Sequence, residues 1–101
     1  MRVDGIWRLE LDVSPGPREG TLRLTSVGRF LSGMWNDGVE SHSFDDGKVS
    51  DGNLTWQVLT QGGSGQLSIR FDAQVDKDEM SGTVEVIGAG IEGLFNGRRI
   101  S

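Results

Sequence analysis

Cysteine is absent from the chain, which excludes disulfide frameworks, thiolate metal sites and cysteine nucleophiles. Histidine occurs once, as His42 within Ser41-His-Ser43, and no nucleophile-elbow sequence lies near it, so a serine triad has no support. A three-ligand zinc site would need more imidazoles, or carboxylates at a recognisable spacing, and no metal is expected. The acids around Asp37-Gly38, Asp45-Asp46 and Asp51 lack the EF-hand spacing and read as solvated turn residues. No Gly-rich stretch runs into Lys-Ser or Lys-Thr, so there is no phosphate cradle, and no cofactor is expected.

Basic residues are also scarce. Ten Lys and Arg stand against fifteen Asp and Glu, a net charge of −5, which argues against nucleic acid or an anionic membrane as partner. No apolar run approaches the ~20 residues that span a bilayer. The segment Met1-Arg-Val-Asp-Gly-Ile-Trp7 carries Asp4 where a secretory signal would begin its apolar region. The expectation is a cytoplasmic protein. At 101 residues the whole chain, 1–101, reads as a single domain.

What the sequence does contain is alternation. Trp7, Leu9 and Leu11 alternate with Arg8, Glu10 and Asp12, and Leu22 and Leu24 alternate with Thr21, Arg23 and Thr25. The same period recurs at Leu31-Gly33-Trp35, His42-Phe44, Leu54-Trp56-Val58, Leu67-Ile69-Phe71, Met80-Gly82-Val84-Val86 and Gly93-Phe95-Gly97. Period two places one face of each strand on a core and the other in water, and no stretch carries a helical period. The gaps hold turn chemistry: Ser14-Pro-Gly-Pro17, Gly28, Asn36-Asp-Gly38, Asp51-Gly-Asn53, Gln61-Gly-Gly-Ser-Gly65, Asp76-Lys-Asp78 and Gly88-Ala-Gly90. Asp46-Gly47 reads either as a bulge in a long strand or as a separate turn.

About eight short strands with short hairpins make an all-β antiparallel up-and-down meander. Closing it into a barrel hides both edges, whereas a sandwich would need longer Greek-key crossovers than the chain provides. Gly5-Ile-Trp7 together with Arg99 near the C-terminus resembles the calycin signature of lipocalins and their relatives. That resemblance implies that Gly5 and Trp7 close one barrel end and that Arg99 lies across the indole. Leu31-Ser-Gly-Met-Trp35 resembles the Leu-Thr-Gly-Thr-Tyr strand of avidin and streptavidin, which implies that Trp35 lines a ligand cavity. The ordered set Gly5-Ile-Trp7, Leu31-Ser-Gly33, Asp51-Gly-Asn53, Met80-Ser-Gly82 and Phe95-Asn-Gly-Arg-Arg99 is similar to a widespread small bacterial domain without a settled activity. The polar set with which avidins hold biotin is not reproduced, and no biotin binding is expected.

Function therefore rests on the barrel interior. Trp35, Phe44, Trp56, Phe71 and Phe95 are the expected ligand-binding wall, and Gly33, Gly82, Gly93 and Gly97 leave room beside them. Glu40 and His42 share the parity of Phe44 and are the candidate catalytic pair, ~7 Å apart on one strand face. A register shifted by one would instead put His42 in water. The leading expectation is a binder of one small apolar or aromatic molecule. An isomerase, cyclase or lyase moving a proton through Glu40 or His42, and a filled barrel serving as an interaction domain, are the alternatives. Met34 and Leu94 are apolar on the outer face, which suits a homo-oligomer interface or ordinary scattered exposure.

Overall fold

The computed structural model describes residues 3–13, 16–62 and 65–101. Eight antiparallel strands follow one another around a closed barrel: β1 (Gly5–Val13), β2 (Gly16–Val27), β3 (Phe30–Asn36), β4 (Ser41–Ser50), β5 (Asn53–Gly62), β6 (Gly65–Asp76), β7 (Glu79–Ile87) and β8 (Ile91–Arg99). Each strand pairs with its chain neighbours, and β8 returns to β1 through Trp7↔Arg99 to Asp12↔Leu94. The up-and-down meander anticipated from alternation is the fold. No helix occurs among the described residues, so none is long and apolar enough to cross a membrane.

Period two carries through to burial. The inward set Trp7, Leu9, Leu22, Leu24, Leu31, Leu54, Trp56, Val58, Phe71 and Phe95 is essentially inaccessible, and every fully buried side chain among the described residues is hydrophobic. The hairpins use the expected chemistry. Asp51 and Gly52 both take positive φ, 51° and 82°, as a two-residue turn with right-handed strand twist requires. Two strands begin earlier than the sequence suggested. Val13 pairs with Gly16 and Asp12 with Pro17, so Gly16 and Pro17 open β2 instead of joining two strands. A proline at the start of a strand gives up no central ladder bond. Likewise Gly62 pairs with Gly65, and the expected turn residues Ser14, Pro15, Gly63 and Ser64 lie outside the described residues.

The irregularity expected at Asp46-Gly47 is a bulge, and it sits one step earlier, at Asp45-Asp46. Leu31 pairs with Gly47 but Gly33 pairs with Phe44, so β4 carries one residue more than β3 across this step. Asp45 and Asp46 both face outward there, and inward parity passes from Phe44 to Gly47. Because the extra residue follows Phe44, it leaves His42 and Phe44 pointing in.

One barrel end is shut. The Trp7 indole is fully buried and donates through Nε1 to the Val3 carbonyl at 3.0 Å. The Arg99 guanidinium lies 4.7 Å above its ring, donates to the carbonyls of Asp4 and Lys77, and sits 3.0 Å from the Asp78 carboxylate. Arg98 faces solvent and pairs with Glu79 at 3.4 Å. At the opposite end, reached by the β3–β4 and β7–β8 hairpins, the inward Leu67, Ile69, Val86 and Ile91 stay only partly buried. The two ends differ in kind: one is capped, the other is a rim of half-covered apolar residues.

Candidate functional site

Five aromatic rings occupy the middle of the lumen. Trp56 on β5 lies between Phe71 on β6, at 4.9 Å and 8°, and Phe44 on β4, at 5.8 Å and 17°. Phe95 on β8 meets Phe71 and Trp56 edge-on, at 5.6 and 6.3 Å. Trp35 on β3 tilts against Phe71 at 5.7 Å, although the two strands are not neighbours. All five residues expected to line a cavity thus form one cluster in mutual contact, each pair adding ~0.5–1.5 kcal/mol beyond its burial.

Three of the inward glycines, Gly33, Gly82 and Gly97, do not leave the room expected of them. A Cβ on Gly33 would run into the Arg23 carbonyl oxygen and the Phe44 ring, and one on Gly97 into the Leu9 side chain. One on Gly82 would fall on the Asp72 carbonyl oxygen and 2.8 Å from the Ala73 Cα. The space freed by each missing side chain is taken by a neighbouring strand or ring, because a narrow barrel needs points of close backbone approach. Gly20, passed over in the sequence, belongs to the same set: a Cβ there would strike the far edge of the Trp35 indole, 2.8 Å from Cζ2. A glycine inside an otherwise regular strand was the available signal.

Two buried donors stand out against this apolar interior. Trp56 is 1% exposed, and its Nε1 has no hydrogen-bond partner among the described residues. His42 pairs with Trp35 across the β3–β4 ladder, points inward, and buries its Nε2 without a well-directed hydrogen bond. A buried donor left unpaired costs ~1–3 kcal/mol. No protein-family model matches the chain, and no curated protein is significantly similar to it. The site is therefore read from its own chemistry.

The carboxylates around His42 are not arranged as period two suggested. Glu40 lies before β4, in the β3–β4 loop, with its side chain 63% exposed and its Oε2 4.0 Å from His42 Nε2. It leaves the strand because Asn36 and Asp37 build the turn. Asn36 Oδ1 accepts from the Gly38 amide at 2.8 Å, while Asp37 Oδ1 accepts from the amides of Val39 and Glu40 at 2.9 and 2.8 Å. The other oxygen of Asp37 comes 3.5 Å from His42 Nε2, nearer than Glu40. Asp37 is thus the residue that turn chemistry hid: its type marked a hairpin, and the hairpin folds it back onto the imidazole.

Burial would raise the Asp37 carboxyl, but the Glu40 and Val39 amides and His42 outweigh it and hold the group below its ordinary value. A depressed carboxyl stabilises the fold above its unfolded pKa, ~3.9, and that contribution fades as pH falls through the lower folded value. Denaturant unfolding of the native chain and Asp37→Asn should therefore show a stability gap at pH 7 that narrows steadily below about pH 4. A gap of the same size at pH 3 and pH 7 would show that the charge of Asp37 contributes nothing.

Proposed function

We propose that the barrel binds one small, flat, largely apolar molecule at its rimmed end, above the ring cluster. The observation that carries this reading is Trp56 Nε1, a fully buried donor inside an aromatic wall that has no partner among the described residues. An acceptor atom on a planar ligand would satisfy it, at a cost in ring rearrangement. The half-covered Leu67, Ile69, Val86 and Ile91 support the reading from the other side, since they form an apolar entrance opposite the end capped by Trp7 and Arg99. The resemblance of Gly5, Trp7, Arg99 and Trp35 to the calycin pattern belongs to the same proposal.

N-phenyl-1-naphthylamine is a suitable first probe. Binding should quench tryptophan fluorescence and raise the melting temperature, because ligand at ~100 times Kd adds ~2.7 kcal/mol to stability. Trp35→Phe should weaken binding and also lower the unliganded melting temperature by several degrees, since the shorter ring keeps a flat face in the lumen but leaves the space beside Gly20 empty. If neither this probe nor a panel of aromatic acids and amides changes fluorescence or melting, the lumen is a filled core and the binding proposal fails.

A second reading is favoured by Asp37. Its carboxylate lies 3.5 Å from His42 Nε2 at the lumen, so an acid and an imidazole stand together where a proton could be passed to or from a bound molecule. His42→Ala separates the two uses. In a plain binder it reduces affinity, whereas in a proton-transfer enzyme it suppresses turnover far more than binding.

A further inference from the structure

The barrel wall is unevenly zipped. β4 and β5 are both ten residues long, yet they share only three ladder pairs, Lys48↔Thr55 to Ser50↔Asn53, whereas β5 and β6 share ten. Beyond Lys48 the Asp45-Asp46 bulge turns β4 aside, as an extra residue bends the strand that carries it. Residues 41–44 then pair with β3 alone, Asp45 and Asp46 form the bulge, and residues 56–62 pair with β6 alone. Two strand edges therefore face each other without a ladder, and unpaired edge groups are a template for another strand.

We propose that this seam takes up an extended cationic peptide segment by strand addition. Natural edges are usually protected by proline or lysine, and residues 41–46 and 56–62 contain neither. Instead Asp37 and Glu40 precede the β4 edge and Asp45 and Asp46 end it, with no Lys or Arg between residues 37 and 46. That charge selects a basic partner. Alternation selects its pattern: an added strand would present one face to the Phe44–Trp56 stack, where the Trp56 donor is unpaired, and the other to solvent beside Ser43 and the exposed Leu59. The segment is thus extended, with apolar and basic residues in alternation. This proposal stands whether or not the lumen holds a small molecule.

The test uses a fluorescein-labelled octapeptide of four Lys-Val repeats. Fluorescence anisotropy should show saturable binding that weakens with salt, and the Glu-Val counterpart should not bind. Methylating alternate main-chain nitrogens of the Lys-Val peptide keeps its charge but removes its donors, and should weaken binding by about tenfold or more. Hydrogen exchange should show new protection confined to residues 41–46 and 56–62. Reversing the edge charge with Asp45→Lys and Asp46→Lys should abolish binding, with circular dichroism confirming that the barrel is kept. No binding by the Lys-Val peptide, equal binding by its methylated form, or protection elsewhere on the barrel would each overturn the proposal.

Discussion

Gly82→Ala is expected to cost about 3 kcal/mol, a large share of the ~5–15 kcal/mol that holds a domain of this size together. The added methyl would meet the Asp72 carbonyl and the Ala73 Cα, which are backbone atoms of β6 and have no rotamer to change. Gly82 pairs with Ala73 on one side and with Phe95 on the other. Making room therefore means parting β6 from β7 or displacing Phe95, whose ring closes one edge of the aromatic cluster. At ~4–8 °C per kcal/mol the melting temperature should fall by roughly 12–24 °C. The exposed neighbour Ser81, replaced by alanine, should change stability by no more than about 0.5 kcal/mol. A Gly82→Ala protein melting within two or so degrees of native would mean that the strands separate there at little cost.

Arg99→Ala should lose about 2 kcal/mol. The guanidinium covers the Trp7 indole, worth ~0.5–2 kcal/mol, and its removal strips donors from the carbonyls of Asp4 and Lys77. Those carbonyls belong to the segment entering β1 and to the β6–β7 turn, so one side chain ties three parts of the chain at the closed end. Arg99→Lys should recover only part of the loss, because an ammonium cannot lie flat on the ring while serving two carbonyls. Arg98→Ala removes an exposed pair with Glu79 and should stay within about ±0.5 kcal/mol. Equal shifts for Arg98 and Arg99 in thermal unfolding would contradict the capping role.

Strand parity was legible from residue types alone. Hydrophobic burial and positive-φ turn residues act over two to four positions, so Trp7-Leu9-Leu11, Leu54-Trp56-Val58 and the Asp51-Gly52 hairpin announced their structure without knowledge of their partners. The inward direction of Trp35, Phe44, Trp56, Phe71 and Phe95 followed from the same alternation. So did the division between an inward Arg99 and an outward Arg98, whereas the placement of Arg99 on the indole was implied by the resemblance of Gly5, Trp7 and Arg99 to the calycin pattern.

The tertiary structure decided everything that depends on residues meeting across the barrel. Alternation placed Glu40 and His42 on one strand face, but the turn in which the Asn36 and Asp37 side chains accept backbone hydrogen bonds put Glu40 in the loop, with its carboxylate 4.0 Å from the imidazole, and brought Asp37 nearer, to 3.5 Å. Gly33, Gly82 and Gly97, counted as empty space, turned out to be crowded, because what stands opposite a missing side chain is set by the neighbouring strands. The single extra residue at Asp45-Asp46 was readable as an irregularity. Its consequence, a wall left unzipped between β4 and β5, was not, since a bulge fixes the bend of its own strand while the neighbour's course is governed by its pairing with β6.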